Sequence, residues 1–151
     1  MANWFASVGR LSALAADGPG TIGSALRHAY HLVQLAPHAL RATVAAALNE
    51  QAFEDLLDAE VYDIAAQALV GSPAGLALVR QPDSRAIFAE VRFPDGRGLG
   101  CGQGRTIALA ILQAWCRAAL ALDRSAGSAR VHRHAKIVPL RPSLSDASLG
   151  V

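Results

Sequence analysis

Lysine and cysteine are nearly missing from this chain, and so are charge, aromatics and any long unbroken apolar run. The single lysine is Lys136, against thirteen arginines, a skew that follows the nucleotide composition of a source genome more readily than a binding chemistry. The two cysteines, Cys101 and Cys116, form no CxxC pair and have no histidine beside them, so the usual zinc and redox spacings are excluded. Two buried, reduced thiols are expected. The longest uncharged stretch, Ile64 to Val79, is broken by Gly71, Pro73 and Gly75, and no membrane span is expected. The amino-terminal MANWFASVGRLSALAADG has no cation before Arg10 and too short an apolar run after it. A secretory signal is therefore not expected, and a cytoplasmic location is.

Catalytic signatures are missing too. There is no GxSxG and no HExxH, so neither a nucleophile elbow nor a zinc-protease helix is present. The chain is not expected to be an enzyme or to carry a cofactor. Charged residues make up 17% and hydrophobic ones 52%, more apolar surface than one domain of 151 residues is expected to hide from water. A partner is expected to cover the surplus.

What the chain does contain is glycine at every second position of GRGLGCGQGRT, from Gly96 to Gly104. A phosphate loop requires Gly, four residues, then Gly-Lys-Ser/Thr. Ending that pattern on Gly104, Arg105 and Thr106 puts Leu99 at the first glycine and arginine at the lysine, and no GxGxxG spacing fits either. Side chains alternate across a strand, so a period of two puts all five glycines on one face. That bare face lets a helix or another backbone come close.

The rest of the pattern predicts an α+β domain. Trp4, Val8, Leu11 and Ala15 recur at helical spacing over residues 3 to 16, and DGPG ends the segment. Thr21 can cap a second helix carrying Leu26, Tyr30 and Val33, and Pro37 can open a third that runs through Leu40, Val44 and Leu48 to Asn49. Residues 50 to 70 align Phe53, Leu57, Val61, Ile64 and Ala68 as a fourth. Three antiparallel strands follow: Leu76 to Val79, then 85 to 93 with Ile87, Ala89, Val91 and Phe93 on one side, then the glycine run. The last helix, 106 to 122, is apolar over most of its circumference, with only Thr106, Ala110, Gln113, Arg117 and Ala121 left to face water. It should be covered by the sheet on one flank and the amino-terminal helices on another. The expected organisation is one domain over 1–123, helical to 70 and strand-strand-strand-helix from 71, followed by a basic, partly disordered tail over 124–151.

Two charged surfaces are candidates for binding. Glu50, Glu54 and Asp58 recur every four residues in a segment that holds six of the twelve acids and no cation, giving a negative ridge. An ordinary solvated face is one reading, and docking to a basic partner is the other. The tail carries Arg130, Arg133, Lys136 and Arg141 with no acid among them. It could hold phosphates with salt-sensitive affinity, yet it has no aromatic to stack on bases. His28, His31 and His38 lie close in sequence but lack a supporting carboxylate or thiolate, so no metal site is expected.

Residues 74 to 122 resemble two families. The GQGRT opening of the last helix resembles the double-stranded RNA-binding domain, where that turn grips phosphates; here it reads Arg105, Thr106, Ile107, Ala108, Leu109, with one cation. ALAILQAWCRAAL, residues 108 to 120, is more similar to the final helix of the phage ABA sandwich family. That resemblance implies origin in a phage or prophage and supplies no catalytic residues. Together these features predict a small non-catalytic binding protein acting by protein contacts, such as an anti-CRISPR-like inhibitor of a host defence complex. A nucleic-acid-binding module using the tail and a structural homo-oligomer subunit are the alternatives.

Overall fold

The computed structural model describes residues 1–16, 22–72, 74–82 and 84–132. Helices α1 (Ala2–Ala16) and α2 (Ile22–Gln34) bury the stripes their spacing predicts: Trp4, Val8, Leu11 and Ala15 on one, Leu26, Tyr30 and Val33 on the other. The Trp4 indole N–H donates to the Leu32 carbonyl at 2.7 Å, tying the two helices together. Thr21, the expected cap of α2, lies outside the described residues.

The third helix is shorter than its periodicity predicts. It is one turn, α3 (His38–Arg41), and the chain then runs irregularly to Asn49. Tertiary partners claim the backbone groups a longer helix would use. The Ala47 N–H donates to Ala68 O at 2.8 Å, and the Tyr30 hydroxyl donates to Leu48 O at 3.1 Å. Asn49 starts a helix rather than ending one, since its side chain accepts from the Ala52 N–H and caps α4 (Glu50–Asp58).

The expected single helix over 50–70 is two. Glu60 takes φ 57°, the Glu60 N–H donates to Leu57 O and the Val61 N–H donates to Leu56 O. This is a Schellman ending with glutamate where glycine is usual. Helix α5 (Tyr62–Val70) then leaves at a new angle that buries Ala65, Ala66, Ala68 and Leu69, while Ile64, expected in the core, is 53% exposed.

Strands β1 (Gly75–Arg80), β2 (Ile87–Arg92) and β3 (Leu99–Gly104) form an antiparallel sheet in that order. The described fold is α+β. Ile87, Ala89, Val91 and Phe93 are buried, as their alternation predicts. They face α6 (Ile107–His132), which lies across β3 and β2 and is flanked on its other sides by α1 and α5. A Cβ at Gly100 would overlap the Ala114 carbonyl and the Ala118 amide nitrogen, and one at Gly102 the Ala110 carbonyl and the Ala114 amide nitrogen. The close approach requires glycine there. Gly98 and Gly104 share the crowding, but Gly96 does not; it turns the chain after β2 at φ 65° with open space around it.

That intimacy corrects the predicted wet stripe of α6. Ala110 is buried beneath β3 and Gln113 is half-buried, whereas Thr106 and Arg117 are exposed as expected, Arg117 reaching the strand's margin. Trp115 is fully buried at the centre, and its indole N–H has no acceptor among the described residues. The helix also continues past the expected domain end at 123, to His132.

Candidate binding surface

The acidic ridge is partly spent inside the fold. Arg27, on α2, grips Glu54 with two nitrogens at 2.6 to 2.9 Å, and this hydrogen bonding holds the Glu54 carboxyl below its usual range and raises the Arg27 guanidinium. Asp58 is exposed, 3.9 Å from the same guanidinium, and Glu50 is exposed in the first turn of α4. The ridge is therefore built around a salt bridge that joins α4 to α2, with exposed Asp58 in the outer reach of the same guanidinium and Glu50 exposed beside it. Sequence spacing gave no sign of this, because the cation sits 27 residues upstream.

The other candidates are scattered. His28, His31 and His38 are all exposed, and among the described residues no three histidines, cysteines or acids are grouped to hold a metal. Arg130 lies in the last turns of α6, and Arg133, Lys136 and Arg141 lie outside the described residues. No described helix is long and apolar enough to cross a membrane. The cysteines differ from the expectation of two buried thiols. Cys116 is buried, its thiol pushed up to about 12 by desolvation, whereas Cys101 is exposed on the face of β3 away from α6.

Where the glycine run meets α6 there is a cleft of about 510 Å³, bordered by Tyr62, Asp63, Arg80, Arg105 and Thr106. The start of a helix has spare N–H groups that favour an anion. Here two of them are taken: the Ala108 N–H donates to the Asp63 carboxylate at 2.9 Å and the Leu109 N–H to the Thr106 hydroxyl at 3.2 Å. A phosphate would have to displace a carboxylate already in place, so the site is closed by the fold's own acid.

The sheet offers more. Its outer face carries Ala77, Val79, Phe88, Leu99 and Cys101, and no described element packs over it. Val79 is 60% and Leu99 47% exposed. The charge on that face is a local pair, Arg92 donating to Glu90 at 2.9 Å. The two edges are finished differently. On β3, Arg117 donates to the Cys101 carbonyl at 2.6 Å, and the Gln113 side-chain oxygen accepts from the Gln103 N–H at 3.3 Å. Both groups point away from β2, so α6 caps two of the outward backbone groups of that edge. No described side chain does this for β1. Comparison with protein-family models, with curated proteins and with solved structures returned no match.

Proposed function

We propose that this chain is a binding protein that works through contact with another protein, made by the open outer face of its sheet. The supporting observation is the exposure of Val79 and Leu99 on a face that no described element covers. Apolar side chains presented on a rigid, glycine-locked sheet lose little freedom on binding, and their desolvation supplies the affinity. Glu50 and Asp58 flank the fold as negative charge that speeds encounter with a basic partner rather than holding it. Inhibition of a host complex by a phage-type protein is the finer form of this reading, and it rests on the resemblance of the α6 helix.

The test is affinity capture from the native host with the full chain and with Leu99→Glu as comparison. A charge in a desolvated apolar contact costs on the order of 2 kcal/mol or more, a loss of at least about thirtyfold. One protein retained by the native chain and lost by the variant is expected. If both chains retain the same proteins equally, or if turnover of a substrate is found and abolished by one polar substitution, the reading fails. A mobility shift of nucleic acid with a steep salt slope would replace it with the tail-mediated alternative.

A further inference from the structure

The free edge of β1 can be read group by group. In an antiparallel strand the N–H and C=O of one residue point to the same side. Since the Cys101 carbonyl and Gln103 N–H point away from β2, the register pairs β2 to β3 through Ala89 with Gly102 and Val91 with Gly100. Phe88, Glu90 and Arg92 then turn their backbone groups to β1, where they meet Val79, Ala77 and Gly75. That leaves the backbone groups of Leu76, Leu78 and Arg80 pointing outward, and among the described residues none of them has a hydrogen-bond partner. A row of unpaired backbone groups is a template for another strand.

The side chains of the same strand are exposed on both faces. Leu78 points to the helix side with Ala89, yet it is 40% exposed, because α6 lies under β2 and β3 while only α5 borders β1. Val79 is exposed on the outer side. A strand added at this edge would cover both.

We infer that β1 pairs with β1 of a second copy, antiparallel about a two-fold axis normal to the sheet, giving a continuous six-stranded sheet. The inference rests on the β1 edge and does not depend on the outer-face reading. Two-fold pairing that keeps each face continuous requires paired residue numbers with an even sum. With Ala77 on the axis, Leu78 of each copy falls opposite Leu76 of the other. Four outward leucines then fill the trough left on the helix side. The only charge of β1 is Arg80, and in this register the two arginines stand about 20 Å apart, beyond a Debye length of about 8 Å. A strand that fits β1 must be apolar with its cation away from Arg80, and β1 itself is such a strand. Each copy has one β1 edge and the two-fold pairing uses both, so the assembly closes at two copies.

The test is sedimentation of the full chain over a concentration series, with Leu78→Pro and Leu78→Lys beside it. The Leu78 N–H makes no bond to β2, so proline removes only an outward donor, a substitution edge strands tolerate. A dimer is expected for the native chain, weakened at least about tenfold in both variants with circular dichroism unchanged; if the proline variant does not fold, the lysine variant decides. Ala77→Cys in a Cys101→Ser background places two thiols at a non-hydrogen-bonded pair about 4.5 Å apart at Cα, within disulfide reach. Oxidation should link two chains. A native chain that stays monomeric at all concentrations overturns the inference. So does a dimer that survives both Leu78 variants, or one in which the Ala77→Cys variant forms no cross-link. Loss of the Leu99-dependent partner would leave these results unchanged, and the reverse also holds.

Discussion

The two edges of the sheet are built from strands of equal length, six residues each, and they end up with opposite properties. β3 is almost without side chains on its inner face, so α6 can lie against its backbone and reach around the edge with Gln113 and Arg117. β1 has leucines on that face with α5 beside it rather than α6 across it, and among the described residues its edge is bare. The difference teaches that closing a sheet edge here depends on how near the covering helix can come. Small residues in one strand set the chemistry available at its margin.

The comparison breaks most severely at the glycines. Gly102→Val drives a branched side chain into the Ala110 carbonyl and the Ala114 amide nitrogen, where neither backbone nor helix can give way. Destabilisation of about 4 kcal/mol or more is expected, read by urea unfolding. Retention of full stability would show that α6 does not need the bare strand.

A milder change makes the edges alike. The double substitution Gln113→Ala and Arg117→Ala leaves α6 seated and exposes the Gln103 N–H and Cys101 carbonyl. Because these groups are solvent-accessible, the cost should be about 1–2 kcal/mol in all. The more telling readout is assembly state: with both edges open, species larger than a dimer should appear in sedimentation, and their absence would mean that the side chains do not guard β3. The smallest effect serves as a control outside both edge strands. Glu60→Gly relieves a left-handed residue in the α4–α5 turn, so thermal unfolding should show a gain of up to about 1 kcal/mol. The assembly state should not change; a loss of stability would mean that the glutamate side chain holds the turn.

Much of this architecture was legible in the residues. The alternation of Ile87, Ala89, Val91 and Phe93 and the two-residue period of the glycines report on packing along one strand, and local pattern suffices for that. The early end of the third helix was not legible, since it depends on Ala47 meeting Ala68 and Tyr30 meeting Leu48, contacts between distant segments. Nor was the break at Glu60, because glutamate rarely takes that conformation and the amphipathic stripe runs on through it. At the candidate surface the acids could be found by spacing, but the arginine that occupies Glu54 could not. The roles of Gln113 and Arg117 became visible only once α6 was seen to cross β3.

The unequal cysteines turn the molecule into its own clock. Cys101 sits in the open on β3, while Cys116 is sealed within α6 with its thiol held protonated far above neutral pH. A thiol reagent added to the native chain therefore has one immediate target. The second modification waits for the helix to lift from the sheet, so the delay between the first and second mass increments times that opening.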